Sequence, residues 1–293
     1  MDREPSNLKA ALWMGGSITS FLVMSVAGRA TTSVLDVFQV MEMRSVIGFV
    51  MLLPLVFLAG GFAAMRTRRP WLHIGRNAAH YAGQFAWLYA LTMIPLAQLI
   101  SIEFTTPIWT ALLAVFFLDE KLTRPRLTAI LLGLIGIVII VRPGLTTVQP
   151  GHVIVLGAAV AFGISLVMVK SLTRTDNVVR IIFWMLIIQS AIGLLPAMYV
   201  WQTPPAGLWL WILLIAFTGT FSHYCLAQAL AHADATLVSP IDFLRVPLSA
   251  LIGWLLYQEQ IDIWTAAGAI LILAGNLLNL QVRPSREAEP VVP

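Results

Sequence analysis

The feature that most constrains this chain is a stretch of apolar sequence that occurs twice. Residues 103–136 carry Glu103, Glu120, Ala129 and Gly136, and residues 242–275 carry Asp242, Glu259, Gly268 and Gly275, each pair 139 positions apart. In both copies an acid lies deep in an apolar run, a Glu ends that run, and a Gly sits inside the next one. Pro107 and Pro247 join the pattern with a slip of one residue. Upstream, Ala90 and Leu91 pair with Ala229 and Leu230, and Arg29 pairs with Lys170 at a slightly different offset. A fixed-period duplication of this kind predicts two copies of one structural unit, and in hydrocarbon it is a common plan for secondary transporters.

Composition decides the medium. Hydrophobic residues make up 59% of the chain and charged residues 11%, against roughly 25% charged in a soluble domain. Mean hydropathy is +0.86. Ten apolar runs are long enough to cross about 30 Å of hydrocarbon: 10–28, 37–60, 74–93, 96–118, 127–142, 152–171, 178–201, 207–230, 236–257 and 262–281. A backbone in lipid must satisfy its own hydrogen bonds, so these runs predict an all-α integral membrane protein of ten transmembrane helices. The expected organisation is a cytoplasmic N-terminus (1–9), a first five-helix repeat (10–142), an outside linker (143–151), a second repeat (152–281) and a polar, disordered cytoplasmic tail (282–293). The N-terminus lacks signal-peptide form, and the first run stays as a span.

Basic residues set the expected orientation. With the N-terminus inside, the inside segments hold Arg3, Lys9, Arg66, Arg68, Arg69, Arg76, Lys121, Arg124, Arg126, Lys170, Arg174, Arg180, Arg283 and Arg286. The outside loops hold only Arg29 and Arg142, while Arg44 and Arg245 lie within spans. Both termini are therefore expected in the cytoplasm. The pI of about 9.6 reflects this one-sided distribution, not a nucleic-acid surface. Five spans is an odd number, so the second repeat must run opposite to the first, making the repeats inverted.

Glu120 at the end of the fourth run, followed by a span with Gly133 and Gly136, is echoed by Glu259, Gly268 and Gly275. This pattern, in a ten-span frame, resembles the drug/metabolite transporter superfamily in its ten-helix EamA-type branch. The Gly-rich run 151–163 is similar to the start of that family's second repeat, and Arg44 sits where its second helix often carries Arg. Within the branch the chain looks most like the YddG-type exporters of aromatic and neutral amino acids. The resemblance implies a bacterial inner-membrane carrier that exports small metabolites by alternating access, uses no cofactor and has no obligate protein partner. Its expected partners are a small-molecule substrate, membrane lipid and, if transport is coupled, protons. The alternative is a facilitator or proton-coupled exporter of other amphipathic metabolites or drugs. A non-transporting scaffold and a membrane enzyme are the rival classes. No P-loop, HExxH or GxSxG pattern with partners supports an enzyme.

Ionisable groups inside spans are expensive and mark function by default. Glu103 and Asp242 are candidates for a proton site or for holding a substrate ammonium. Asp242 has a competing structural explanation in Arg245, three residues on and on the same helix face. Glu103 has no basic residue one turn away. It either faces the cavity, pairs with Arg44, or hydrogen-bonds Ser101, Thr105 or Thr106. His-Tyr occurs twice, as His80-Tyr81 and His223-Tyr224, with Gln84 and Gln228 one turn on. His80, Tyr81, Gln84, Glu103, His223, Tyr224 and Gln228 are thus the expected cavity wall, suited to a zwitterion with an apolar or aromatic side chain. Interhelical hydrogen bonding is the plainer reading of the same stripes. Arg44, Asp242 and Arg245 are expected to pair charges within the membrane, and Pro107 and Pro247 to kink their helices beside the acids. Gly15, Gly16, Gly133, Gly136, Gly157 and Gly163 read as close-packing positions. The single cysteine, Cys225, leaves no intrachain disulfide, and the histidines lack the spacing of a metal site.

Overall fold

The computed structural model describes residues 6–118, 124–144, 148–232, 238, 241–260 and 262–281. Glu120, Lys121 and the tail from 282 lie outside the described residues. Eleven helices are described: α1 Asn7–Thr32, α2 Val37–Leu58, α3 Pro70–Leu91, α4 Leu96–Glu103, α5 Thr106–Leu118, α6 Arg124–Val141, α7 Pro150–Leu172, α8 Val178–Tyr199, α9 Trp209–His232, α10 Arg245–Tyr257 and α11 Ile263–Gln281. Six stretches are long and apolar enough to cross a membrane by length and composition, and three further apolar helices are shorter. The helix α3 is in neither group. Its buried residues include His73, Arg76, Asn77, His80 and Gln84, which lower its average hydropathy while facing the protein interior.

Local chemistry starts the helices where the spans begin. The side chains of Ser6, Asp36 and Asn177 accept from Lys9, Phe38 and Arg180 backbone N–H groups, and Pro70 and Pro150 open α3 and α7, where a missing N–H is harmless.

Packing follows the duplication. Every span packs on a span of the other repeat: α1 on α9, α3 on α7, α2 on α8, α6 on α11, and α4 on α10. Exchanging the five spans of one repeat for those of the other maps α1–α9 onto α7–α3 and maps the remaining three pairs onto themselves. All five contacts join one repeat to the other, so neither repeat holds a core of its own. The small residues of the duplicated block explain one of these seams. A Cβ on Gly136 would stand 2.7 Å from the Gly268 carbonyl oxygen, and one on Gly275 would stand 2.8 Å from that of Ala129. The two copies of the pattern therefore pack on each other antiparallel, bringing α6 and α11 into backbone contact. Gly16 and Gly163 also sit against neighbours, whereas Gly15 and Gly157 face open space.

The two ends of the bundle are tied differently. At the end away from the termini, the Arg29 guanidinium donates to the Leu91 and Ile94 carbonyls at 2.9–3.1 Å and pairs with Glu259. Glu259 also accepts from the Leu96 backbone N–H at 2.9 Å. Arg142 pairs with Asp262 at 2.6 Å nearby. At the other end, Asp176 in the α7–α8 turn accepts from Arg180 (2.7 Å), Thr67 (3.1 Å) and His73 (3.2 Å). Burial would raise the pKa of this carboxyl, but those hydrogen bonds outweigh it and hold the group below the ordinary carboxylate range. A pKa below the unfolded value of about 3.9 means the contribution is complete above that pH and is lost as pH falls through the folded value. Asp176→Asn is therefore expected to cost about 1–2 kcal/mol near neutral pH. Thermal unfolding in detergent should show the gap to wild type closing as pH drops below about 4.

Candidate functional site: a charge cluster between two broken helices

The fourth span is two helices. The first, α4, stops at Glu103, Phe104 and Thr105 form a turn, and α5 begins at Thr106. The ninth span breaks at the matching place: Ile241 and Asp242 are helical, Phe243 and Leu244 form a turn, and α10 begins at Arg245. Proline supplies the cause. Pro107 cannot donate to the carbonyl four residues back, which belongs to Glu103, and the Thr106 hydroxyl takes that oxygen instead at 2.7 Å. Pro247 leaves the Phe243 carbonyl, which accepts from the Val246 backbone N–H at 3.1 Å. The Phe104 carbonyl is met by the Asn276 amide at 2.7 Å. Irregular backbone at this depth is tolerated because each freed group finds a partner within the protein.

Both acids stand at the breaks. Arg245 Nη2 donates to Asp242 Oδ2 at 2.5 Å, the local pair expected from the sequence. Its Nη1 also reaches Glu103 Oε1 at 3.5 Å, across the seam between repeats. The second Glu103 oxygen accepts from the Trp87 indole N–H at 2.7 Å. The guanidinium lies over two rings, 4.3 Å from the centre of Phe21 and 4.7 Å from that of Phe104. Phe104 meets its repeat partner Phe243 edge to face at 5.5 Å. One cation thus ties together two carboxylates that the duplication makes equivalent, with aromatic faces on either side. The three charged side chains stay 14–19% exposed, so the cluster is enclosed but not sealed.

The expected Glu103–Arg44 pair is corrected here. The helix α4 packs on α10, while α2 packs on α8 and α9. Arg44 is buried against Gly219 of α9 and makes no ion pair with a described residue. Ser101, Thr105 and Thr106 donate to backbone carbonyls and leave the Glu103 carboxylate alone.

The His-Tyr pairs separate. His80 and His223 approach to 6.0 Å between ring centres. His80 is buried, and its Nδ1 lies 2.9 Å from Gln189 Nε2. His223 is exposed, although Ala216 and Gly219 on the same strip of α9 are buried, which places it on open space inside the bundle. The tyrosines point elsewhere because neighbouring helical residues differ by about 100°. Tyr81 is buried near Glu42 and Gly193, between α2 and α8. Tyr224 packs on Trp13 of α1 and on Phe221, and Gln228 follows it one turn on. Gln84 is buried on the His80 strip, with Trp87 three residues further. The structure therefore joins Glu103, Asp242 and Arg245 in one cluster and His80 to His223 in another, with the Gln84–Trp87 strip between them.

Several participants were not singled out from sequence. Phe104 and Phe243 obey the same 139-residue offset as the acids beside them, so that signal was available. Trp87 continues the α3 polar strip at helical spacing. Gln189 and Glu42 carry no sequence signal, since their role follows from which helices meet. Among the described residues no group of His, Cys, Asp and Glu is placed to hold a metal ion. Cys225 is buried.

Comparison with known proteins agrees with this architecture. A solved crystal structure shares the fold at a TM-score of 0.66, with 18% identity over 94% of this chain and 97% of that one. The S-adenosylmethionine uptake transporter of Rickettsia prowazekii is 26% identical over 94% of both chains. The riboflavin transporter of Rhizobium johnstonii is 32% identical over 98% of this chain and 96% of its own. The pseudopaline exporter CntI of Pseudomonas aeruginosa is 28% identical over 87% and 89%. The model of the EamA-like transporter family matches twice, at residues 8–142 and 149–281. A duplicated, all-helical membrane bundle, two family matches that divide it at the seam of the duplication, and a full-length relative at 32% identity lead to one conclusion: the chain belongs to the EamA-like transporter family, and it is a transporter of small molecules, not an enzyme.

Proposed function

We propose that this chain is a secondary carrier working by alternating access, with a central path between the repeats and the Glu103–Arg245–Asp242 cluster as the element that rearranges. One observation carries the reading: the two broken helices meet at equivalent breaks, and a single arginine ties the two equivalent acids. Discontinuous helices at the midplane are where carriers of this design hold solute and ions. Pro107 and Pro247 serve there as hinges, since each removes the hydrogen bond that would stiffen the break. With both termini in the cytoplasm, Arg29, Arg142, Glu259 and Asp262 form a closed outer end.

The substrate is a small amphipathic metabolite. The named solutes of the relatives differ widely and include both uptake and export, which argues for a common mechanism with a family-specific pocket. Export of aromatic or neutral amino acids is the specific reading that the His80–His223 wall and the central acids suggest. The test is flux in proteoliposomes with labelled S-adenosylmethionine, riboflavin and phenylalanine, with and without a pH gradient. Saturable flux of at least one solute is expected. Glu103→Gln should cut that flux at least about tenfold while leaving thermal stability close to wild type, because Arg245 keeps Asp242 as its partner. No flux of any solute by folded wild-type protein would count against the carrier reading.

A further inference from the structure

The described carboxylates are all engaged. Glu103 and Asp242 bind Arg245, Asp176 binds Arg180, Glu259 binds Arg29 and Asp262 binds Arg142. Glu42 accepts from Ser190 through one oxygen while its other oxygen, beside Tyr81, has no hydrogen-bond partner among the described residues, and Asp36 caps α2. Two buried arginines are left over. Arg44 on α2 and Arg76 on α3 are each 7% exposed, and neither forms an ion pair with a described residue. Arg76 donates only to the neighbouring Asn77 amide oxygen at 2.7 Å, and its Nε has no partner. Arg44 lies in the space that Gly219 leaves by having no side chain: a Cβ there would be 3.6 Å from Arg44 Cδ and 3.8 Å from its Nε.

Both charges converge on one place. Arg76 stands one turn before His80 on α3, Gly219, which Arg44 packs against, stands one turn before His223 on α9, and the two imidazole rings lie 6.0 Å apart. His223 faces open space there, and the buried side-chain oxygens of Gln84 and Gln189 lack hydrogen-bond partners. A chamber whose two cations have no carboxylate partner among the described residues, with spare amide acceptors, repels a cationic group and fits an anionic one.

Building on the carrier reading above, we propose that Arg44 and Arg76 seat an anionic oxygen group, a carboxylate or a phosphate, carried by the transported molecule, with His80 and His223 as its walls. Gln84 and Gln189 accept hydrogen bonds from neutral N–H or O–H groups of the same molecule. The seat is separate from the Glu103–Arg245–Asp242 cluster, which is already charge-paired.

The test is binding to detergent-purified wild-type protein, using two pairs of probes that differ in one group. Riboflavin 5′-phosphate against riboflavin reads phosphate, and 3-phenylpropanoate against 3-phenylpropan-1-ol reads carboxylate. In at least one pair the anionic member should bind about tenfold or more tightly than its neutral partner. Arg44→Gln and Arg76→Gln should each reduce that preference to within about twofold. Equal or tighter binding of the neutral member in both pairs overturns the proposal. So does a preference that survives both substitutions, or the absence of binding by either anion at millimolar concentration. If the glutamine variants do not fold, the wild-type pairs still decide. Riboflavin flux without any anion preference would leave the carrier standing and remove the seat, while anion binding without flux would do the reverse.

Discussion

Arg245→Gln is expected to be the most damaging single substitution, lowering the stability of the detergent-purified protein by about 3–5 kcal/mol. The reason is the geometry at the two breaks. Arg245 holds Asp242 at 2.5 Å and Glu103 at 3.5 Å, so its loss leaves two enclosed carboxylates facing each other without a cation. Removing one acid is milder, because Arg245 keeps the other. Asp242→Asn, which loses the shorter bond, should cost more than Glu103→Gln. The triple change Arg245→Gln with Asp242→Asn and Glu103→Gln should recover most of the stability, since a neutral cluster avoids the desolvation of unpaired charge. Thermal unfolding of the five proteins gives the order directly. A stable Arg245→Gln protein would show that the cluster is solvated and electrostatically slack.

The second large effect is expected at the seam of the duplicated block. Gly136→Leu or Gly268→Leu should each cost about 3 kcal/mol or more, the upper end for overpacking. Backbone, which cannot move aside, blocks both positions: a Cβ on Gly136 meets the Gly268 carbonyl at 2.7 Å, and one on Gly268 meets the Gly136 carbonyl at 2.5 Å, with the Ile272 and Ile140 side chains equally close. The two helices α6 and α11 would have to separate along their length. Gly15→Leu serves as the control, because nothing lies within 4 Å of its Cβ position. Its stability should match wild type.

These two sites also show what the sequence could carry. The glycine spacing was legible as a repeat, and the repeat turns out to be its own packing partner. The break in spans four and nine was legible through Pro107 and Pro247, because a missing N–H acts on its own helix. The Asp242–Arg245 pair was legible for the same local reason. Glu103's partner was not: Arg245 lies 142 positions away and meets Glu103 only because α4 crosses α10. Arg44 was misassigned on the same ground, since no local rule says that α2 faces α9. The His-Tyr pairs mark a limit of a different kind. Adjacent residues on a helix cannot share a face, so His80 and His223 turn toward each other while Tyr81 and Tyr224 turn elsewhere. Arg76, counted as a loop charge from its place near the start of α3, is buried, which only the packing of α3 on α7 and α8 reveals.

Alternating access is the central claim, and locking one end of the bundle tests it most directly. Arg29 and Glu259 join α1 of the first repeat to the end of α10 in the second. In protein with Cys225 replaced by Ser, Arg29→Cys and Glu259→Cys place two thiols across the end remote from the termini, which a short bis-methanethiosulfonate linker spanning the former ion pair joins through two reducible disulfides. The measurement is solute flux in proteoliposomes before and after cross-linking. Cross-linking is expected to reduce flux to the level of empty liposomes, and reductant should restore it in the same vesicles. Undiminished flux in fully cross-linked protein would contradict the account, because a carrier whose outer end cannot open has no second face to offer.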